Sequence, residues 1–297
     1  MAGAVRDLEC KHIITSEIEH HATLHTVEFL KRSEQASVSY VKIVSDGDIN
    51  MHHLEQLLKE SKEKSLVTLM HANNETGNMI DLHKTGELCK KYNAIFHSDT
   101  VQTVGHFPFD LRKTPVDFIT GSSHKFHGPK GSGILYINEN SKISPFLYGG
   151  SQERNMRAGT ENLYGIVGFA KALEIATANY EADSSYIRNL KLYIMEQLQQ
   201  NIKGITFNGN PRDGSLYTVL SVNFPKTDKS EMILFNMDIN NICTSGGSAC
   251  SSGADAGSHV MRAINNNPNV VTVRFSFSKF NTKEEIDIVV EKLKDMI

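Results

Sequence analysis

Lys125 lies in a stretch of sequence whose residue types suit covalent chemistry. A short apolar run, Val116–Thr120, reads as a strand that ends just before the polar residues Ser122–His124, and a glycine-rich turn at Gly128–Gly131 follows the lysine. An amine in such a place can be desolvated, so that its pKa falls and it forms a Schiff base with a carbonyl cofactor. Taken alone, however, the pattern favours an ordinary surface lysine in a loop.

Asp99 follows a second apolar run, Ala94–Ser98, which also reads as a buried strand. The carboxyl ends of strands are where open α/β sheets collect ligand-binding groups. A carboxylate there can pair with a pyridinium nitrogen and keep the ring protonated, as in pyridoxal phosphate sites. On its own, Asp99 fits a turn former or a helix cap. Together with a downstream strand that ends in Ser-x-His-Lys, it favours a cofactor site.

Cys250 is surrounded by glycine and serine, in the run from Thr244 to Gly253. These small residues predict a solvated tether with little side-chain bulk. A structural cysteine is usually buried among apolar residues and is unreactive. We therefore interpret Cys250 as a thiolate nucleophile, with a plain loop cysteine as the alternative.

Apolar strands alternate with amphipathic helices through the first half of the chain, which is typical of a mostly parallel sheet covered on both faces. A polar break at Glu181–Ser184 then separates two long helical patterns. The fold class is therefore α/β, with a mostly parallel sheet flanked by helices and a smaller C-terminal α+β domain. We expect a large domain over residues 1–183 and a small domain over residues 184–297. Predicted strands are His12–Thr15, Val38–Ile43, Leu66–Met70, Ala94–Ser98, Val116–Thr120, Gly133–Ile137, Tyr217–Phe224 and Val271–Phe277; predicted helices are His21–Arg32, Met51–Lys62, Leu82–Tyr92, Glu161–Tyr180, Ser185–Ile202, Lys229–Met237 and Lys283–Met296.

Composition narrows the function classes. The 297 residues suffice for a sizeable core, and the net charge of −3 includes no basic block of the kind that follows a phosphate backbone. Nucleic acid is therefore not expected as a partner. No apolar run reaches the length that crosses a bilayer, and no signal-peptide pattern opens the sequence, so we expect a cytoplasmic protein without a membrane partner.

The cysteines do not predict a metal site. Cys10, Cys89, Cys243 and Cys250 show neither a Cys-x-x-Cys spacing nor the density of a disulfide scaffold. The nearest histidine cluster, at residues 20, 21 and 25, has no matching carboxylate, so no metal is expected.

Several motifs occur in the order found in one enzyme family, and together they cover the chain from about residue 10 to its end. They are Glu19-His20, the run from His71 to Gly77, the run from His97 to Gln102, Ser122-Ser123-His124-Lys125, the run from Gly149 to Thr160, Gly247-Ser248-Ala249-Cys250 and Val273-Arg274-Phe275-Ser276. In these motifs the chain resembles cysteine desulfurases of the NifS/IscS type, in the class V (fold type I) pyridoxal-phosphate aminotransferase superfamily.

The resemblance implies a role for each motif. Lys125 would carry pyridoxal 5′-phosphate, Asp99 would pair with its ring nitrogen, and Gln102 would bond its phenolic oxygen. His20 would stack on the ring and take part in proton transfer. The remaining assignments are Ser122, Ser123 and His124 at the cofactor phosphate, Thr160 at the phosphate of a neighbouring subunit, Asn74 at the cofactor or the substrate carboxylate, and Arg274 at the substrate carboxylate.

Without the resemblance these residues have ordinary interpretations. His20 would be a helix-start residue, Asn74 a turn former, and Arg274 a sheet-edge arginine. With it, the implied reaction removes sulfur from L-cysteine to give L-alanine and a persulfide on Cys250. The implied partners are a second copy of the chain, in a homodimer, and an iron–sulfur scaffold or another sulfur-acceptor protein.

The sequence departs from this family at its start. Family members have a preceding segment with a Gly-Ala-Thr-Glu-type turn that grips the cofactor phosphate at a helix N-terminus, whereas Met1–Glu9 resembles the later part of that helix. We therefore expect an N-terminally incomplete large domain, either a fragment of a longer desulfurase or a short form. In both cases we expect weakened cofactor binding.

Two alternative functions remain at this point. Another class V enzyme, such as a selenocysteine lyase or an aminotransferase, would share Lys125 and Asp99 but usually lacks the Gly-Ser-Ala-Cys tether. A truncated, catalytically silent partner that dimerises or docks on a scaffold would retain the fold without the activity.

Overall fold

The chain folds into two compact units. The computed structural model describes residues 1–212, 214–247, 258–264 and 267–297. The first unit comprises Met1–Lys42, Ile49–Ala72 and Ile80–Tyr180, and the second comprises Ile43–Asp48, Asn73–Met79 and Glu181–Ile297. The two short segments from the first half of the chain therefore belong to the second unit, although the sequence-based division assigned them to the large domain.

A six-stranded sheet, in the order β2-β1-β3-β4-β5-β6, forms the first unit. Strands β1 to β5 run parallel, and β6 pairs antiparallel with β5 at one edge. This arrangement confirms the mostly parallel sheet. The strands are β1 (His12–Thr15), β2 (Ser37–Tyr40), β3 (Ser65–Thr68), β4 (Ile95–Asp99), β5 (Phe118–Ser122) and β6 (Gly133–Ile137).

Both faces of this sheet are covered by apolar side chains. Successive residues of a strand contribute to different faces, because their side chains point in opposite directions. Ile13 and Leu66 belong to a core cluster that includes Leu30 of the first long helix. Their neighbours Ile14 and Val67 belong to a second cluster, which holds apolar side chains of the next two helices. Helices of this unit are α1 (Ala2–Asp7), α2 (His21–Arg32), α3 (Met51–Glu60), α4 (Leu82–Lys91) and α5 (Leu163–Ala178).

Side-chain caps fix the starts of several helices. Asn50 Oδ1 accepts from the His53 N–H at 3.0 Å before α3, and Asp81 Oδ1 accepts from the Lys84 N–H at 3.0 Å before α4. Such caps satisfy N–H groups that have no partner within the helix. They explain why the predicted and observed starts of these helices coincide.

The second unit is an antiparallel sheet with helices. Its strands β7 (Thr206–Phe207), β8 (Val219–Pro225) and β9 (Val270–Ser276) lie in the order β7-β8-β9. The helices α7 (Ile233–Ile239), α8 (His259–Ile264) and α9 (Lys283–Met296) accompany them, and α6 (Tyr180–Asn201) begins at the last residue of the first unit. Among the described helices, none is long and apolar enough to cross a membrane.

The predicted break at Glu181–Ser184 is wrong, because these residues lie inside α6. Glu181 and Asp183 occupy the first turn of that helix. Acidic side chains are favourable there, since they oppose the positive end of the helix dipole. The polar run therefore marks the start of a helix, and the interruption lies at Asn179, the C-cap of α5.

A glycine in α4 yields a test of this packing. A Cβ on Gly86 would lie 2.1 Å from the Pro115 carbonyl oxygen. Alanine in a helix interior ordinarily stabilises by about 0.5–1 kcal/mol relative to glycine. Because of the clash, we expect Gly86→Ala instead to lower the free energy of unfolding by about 1–3 kcal/mol in urea denaturation. The exposed neighbour provides the control: Glu87→Ala changes it by less than about 0.5 kcal/mol. A stabilised Gly86→Ala protein would contradict the packing described here.

Candidate functional site

The predicted cofactor residues of the first unit follow neighbouring parallel strands. In the order β1-β3-β4-β5, the carboxyl ends of these parallel strands lie side by side. We call this row of strand ends the carboxyl edge of the sheet. His20 follows β1, Asp99 is the last residue of β4, and Lys125 follows β5. Since adjacent strands are about 4.8 Å apart, residues distant in sequence meet at this edge. It is also the edge at which α/β sheets bind ligands.

Asp99 is the electrostatic centre of this edge. Burial raises the pKa of its half-buried carboxyl group, while the Val101 N–H, which donates to Oδ1 at 2.9 Å, and the charges of His20 and Lys125 lower it. The structure therefore places Asp99 within the electrostatic reach of both predicted catalytic residues of this unit. A half-buried carboxyl group of this kind binds a cationic ligand favourably, because the cation stabilises the charged form of the group.

His20 has its tautomer fixed by the backbone. It is the N-cap of α2, and its Nδ1 accepts from the Ala22 N–H at 3.2 Å. An accepting Nδ1 carries no proton, so the ring proton of neutral His20 is on Nε2. His20 is thus a helix-start residue, as the ordinary interpretation predicted, and Nδ1 makes the cap. Nε2 takes no part in the cap and can exchange a proton with a ligand.

Lys125 lies on a tight turn after β5. A short 3₁₀ helix, Ser123–Phe126, ends at His127 with a left-handed φ of 66°. The Lys125 carbonyl oxygen pairs with His106 Nε2 at 2.8 Å, which fixes the backbone beneath the exposed lysine side chain.

Two polar residues of this turn pair with each other. Ser122 Oγ and His124 Nδ1 are 2.7 Å apart. Burial and the neighbouring charges of Lys125 and Lys130 lower the pKa of His124. A hydroxyl, an imidazole and two lysines within one turn form a donor set suited to an anion such as a phosphate.

Ser123 differs from its neighbours. Its side chain is buried, and its hydroxyl contacts the carbonyl oxygens of Pro129 and Ser132, the latter at 3.1 Å. It holds the glycine-rich turn against β5. Its predicted contact with the cofactor phosphate stays a prediction.

The other predicted residues of the first unit are placed as follows. Gln102 is half-buried in the turn after Asp99. Thr160 is exposed in the loop before α5, two residues ahead of the N-cap Asn162. Cys250 lies outside the described residues, so its predicted role stays a prediction.

The second unit brings the two predicted substrate-binding residues together. Arg274, on β9, donates from a terminal guanidinium nitrogen to the Asn74 carbonyl oxygen at 3.0 Å. Both residues are half-buried. The contact uses the backbone of Asn74, so it orients the guanidinium fork of Arg274, a group that suits a carboxylate.

Two buried residues at the sheet edge have roles that sequence analysis did not assign. Glu19 is 1% exposed, and its Oε1 accepts from Ser16 Oγ at 2.8 Å and from the Met70 N–H at 3.0 Å. Burial raises the pKa of Glu19 to about 8, and the Asp99 charge adds to this effect. His71 Nδ1 pairs with Thr103 Oγ1 at 2.9 Å, and burial lowers its pKa to about 4.

The one sequence signal for Glu19 was its position directly before His20, within a Ser16-x-x-Glu19 spacing. Because its carboxyl group bonds the loop after β3, Glu19 joins the carboxyl end of β1 to that of β3. The neighbouring His20 is positioned by the same junction.

Comparisons with known proteins agree with this geometry. The sequence matches the family described as Aminotransferase class-V over residues 6–289. The cysteine desulfurase IscS of Dictyoglomus turgidum is 37% identical, over 97% of this chain and 72% of that protein. The solved NifS-like protein of Rickettsia africae superposes with a TM-score of 0.87 at 29% identity, covering 99% of this chain and 79% of that one. SspA, solved in complex with cysteine, superposes with a TM-score of 0.74 at 28% identity, covering 94% and 76%.

The strand order and the residues at its carboxyl edge define a pyridoxal-phosphate transferase domain of fold type I. The chain belongs to the class-V aminotransferase family and, within it, to the cysteine desulfurases of the NifS/IscS type.

The described residues fit the cofactor of this family, pyridoxal 5′-phosphate. An aldehyde needs the amine of Lys125, a pyridinium nitrogen needs the carboxyl group of Asp99, and a phosphate needs donors of the kind found at Ser122 and His124. Asp99 supports the fit most directly, because its carboxyl group already lies among positive groups in a half-buried position.

Glu19→Gln tests the buried carboxyl group. The pKa of Glu19 rises from 4.5 to about 8 on folding, so the folded state retains a proton that the unfolded state releases between these values. This contribution to stability is complete below about pH 4.5 and is lost as the pH rises through about 8. We expect the unfolding free energy of the wild type to fall relative to Glu19→Gln by up to about 1.4 kcal/mol per pH unit in that window.

Urea denaturation at a series of pH values measures this difference. The exposed Glu17→Gln is the control, and its curve should parallel the wild type. If Glu19→Gln also parallels the wild type, Glu19 is not the buried acid described here.

Proposed function

We propose that this chain is a pyridoxal-phosphate-dependent cysteine desulfurase that converts L-cysteine to L-alanine and leaves the sulfur on Cys250 as a persulfide. The observation that carries the proposal is Asp99 at the carboxyl end of β4, where its pKa responds to the charges of His20 and Lys125. Membership of the cysteine desulfurases supports the choice of reaction.

The first unit provides the residues for the cofactor. When bound, pyridoxal phosphate supplies an aldehyde that reacts with amines and a ring that withdraws electrons from the substrate. Asp99 would pair with the ring nitrogen and favour its protonated form, because a carboxylate and a pyridinium stabilise each other's charge. The other proposed contacts of this unit are Lys125 at the aldehyde carbon, Gln102 at the phenolic oxygen, Ser122, Ser123 and His124 at the phosphate, and Thr160 at the phosphate of a neighbouring subunit.

Arg274 binds the carboxylate of L-cysteine in this proposal. One terminal nitrogen of its guanidinium bonds the Asn74 carbonyl oxygen, which fixes the orientation of the fork. A fixed fork recognises a carboxylate with little loss of side-chain entropy. The structure of SspA in complex with cysteine supports cysteine as a ligand of this fold.

The transfer step balances without a further reagent. The Cys250 thiolate attacks the sulfur of the substrate, so an S–S bond forms as the C–S bond breaks. The electron pair of the C–S bond stays on the β-carbon, and the proton of the substrate thiol ends on that carbon. His20 moves the proton through Nε2, since its Nδ1 is bonded to the backbone.

A second copy of the chain is the proposed partner of α5. Apolar residues occur on all sides of this helix, although only Gly165 and Phe169 are buried. Tyr164 is 90% exposed, and Leu163 and Val167 are also exposed. A helix that is apolar all round is normally covered, so these side chains favour a homodimer interface. Thr160 lies just before this helix, where a dimer would bring it near the neighbouring subunit.

The sulfur acceptor follows from the chemistry of a persulfide. Its terminal sulfur is labile and passes to another thiolate or to a scaffold that binds iron, so we propose an iron–sulfur scaffold or another sulfur carrier as the acceptor. We also propose that the reaction takes place in the cytoplasm, where thiols stay reduced.

Two variants separate the halves of the reaction. With pyridoxal phosphate and L-cysteine, Lys125→Ala should lower alanine formation at least about a hundredfold, because no amine holds the cofactor. Cys250→Ala should lose sulfur transfer while keeping the cofactor absorbance. Lys90→Ala, at an exposed lysine of α4, is the control and should keep both. Alanine formation that survives in Lys125→Ala would overturn the proposal.

Tyr164→Glu tests the dimer. A charge on this exposed aromatic position should shift the protein towards monomers in analytical ultracentrifugation, since an unpaired charge in an apolar interface is costly. Phe235→Glu, at an exposed aromatic residue of α7, is the control and should leave the wild-type mass unchanged. Equal masses for Tyr164→Glu and the wild type would rule out this interface.

A further inference from the structure

Glu75 is a buried carboxyl group in the second unit that the proposed reaction does not use. It is 1% exposed, and its Oε2 accepts a hydrogen bond from Ser258 Oγ at 2.5 Å. Its Oε1 is also buried and has no hydrogen-bond donor among the residues that the structure describes. A buried carboxyl group is costly unless it is bonded, so its position needs an explanation.

Gly247 lies against the same carboxyl group. Its φ is +139°, and a Cβ at this position would lie 2.9 Å from the Ser258 Cβ and 3.1 Å from Glu75 Oε2. Only glycine tolerates this backbone angle together with so close an approach. Gly247 and Ser258 are the residues on either side of the segment 248–257, which lies outside the described residues. The two flanks of the segment that contains Cys250 therefore meet at Glu75.

One flank is also joined to the strand that carries Arg274. The backbones of Ser245 and Arg274 exchange two hydrogen bonds, of 3.3 and 2.7 Å. Ser245 Oγ donates to the Gly247 carbonyl oxygen at 3.1 Å, which extends this contact to the end of the flank. The described residues before the segment are thus bonded directly to the proposed substrate arginine.

The loop that carries Glu75 is itself held rigid. Asn73 Oδ1 accepts from the N–H groups of Glu75 and Thr76 at 2.9 and 3.0 Å, an Asx turn. The Gly77 carbonyl oxygen accepts from the Leu216 N–H at 2.9 Å, which joins the loop to the rest of the unit. The same loop bonds Arg274 through the Asn74 carbonyl oxygen. One loop therefore contacts both flanks and the arginine.

We propose that Glu75 is a positioning residue that bonds Ser258 and so holds the two described flanks, which end at Gly247 and resume at Ser258, against each other in the unit that carries Arg274. This inference rests on the proposed function, since it assigns Glu75 to the delivery of the Cys250 thiol. It takes no part in the covalent steps. Loss of the anchor should slow sulfur transfer and leave cofactor binding intact.

The test compares Glu75→Ala, which removes the acceptor of the Ser258 hydroxyl, with Glu75→Gln, which retains one. In Glu75→Ala we expect hydrogen–deuterium exchange to speed up at least about tenfold in peptides that contain residues 244–247 and 258–264. Alanine formation from L-cysteine should fall about tenfold to a hundredfold, because a misplacement near 1 Å has an effect of this size. The dissociation constant of pyridoxal phosphate should change less than about twofold. Glu75→Gln should restore exchange and turnover to near the wild type.

Ser258→Ala provides a second route to the same loss if Glu75→Ala does not fold. The double variant Glu75→Ala/Ser258→Ala should be no slower than the slower single variant, since both remove one contact. Glu291→Ala, an exposed glutamate on α9 in the same unit, is the control and should match the wild type.

The outcomes separate the two proposals. Unchanged exchange at both flanks in Glu75→Ala or Ser258→Ala would overturn the anchor, and so would a loss of pyridoxal phosphate binding equal to the loss of turnover. A wild-type protein that binds pyridoxal phosphate and forms no alanine would instead overturn the proposed function. Hydrogen–deuterium exchange still tests whether Glu75 anchors the two flanks in that case, because the measurement requires no turnover.

Discussion

The site of the first unit depends on one half-buried carboxyl group, that of Asp99, within the electrostatic reach of His20 and Lys125. Burial disfavours the charge of Asp99, while the Val101 N–H, His20 and Lys125 favour it. Burial raises the pKa of the neighbouring Glu19 to about 8, and the Asp99 charge adds to this effect, so Glu19 is mostly protonated near neutral pH. Asp99 is therefore the main acidic group at the end of β4. A cationic ring nitrogen is the group that such a position stabilises best.

In the second unit, neutral backbone groups orient the half-buried Arg274. Arg274 is held by a backbone carbonyl oxygen of Asn74, so its positive charge is not cancelled by a carboxylate in that contact. Backbone bonds with Ser245 fix the same residue from the other side. Neutral partners position an arginine while preserving its affinity for an anion. This explains why a loop from the first half of the chain packs within the second unit.

Periodic patterns in the sequence predicted most of the fold and little of the fine structure of the site. The helices His21–Arg32 and Lys283–Met296 have their predicted bounds, because caps and apolar spacing coincide there. The acidic residues Glu181 and Asp183 misled the prediction, since a polar run both starts helices and breaks them. Motif order pointed to Asp99 and Lys125. Glu19 and Glu75 also lie in these motifs, but the sequence assigned them no role, because their burial arises from contacts with residues far away in sequence.

The two outer strands of the six-stranded sheet, β2 and β6, are unlike each other. At one edge, β2 has serines at alternate positions, and Ser39 Oγ pairs with the ring of His12 at 2.8 Å. At the other, β6 is an apolar strand with Ile134 and Leu135 exposed, and its backbone pairs with β5 on one side only among the described strands. Unpaired backbone groups beside apolar side chains attract any extended peptide. The side of the sheet formed by β6 is therefore the one where a further strand would find both backbone partners and apolar contacts.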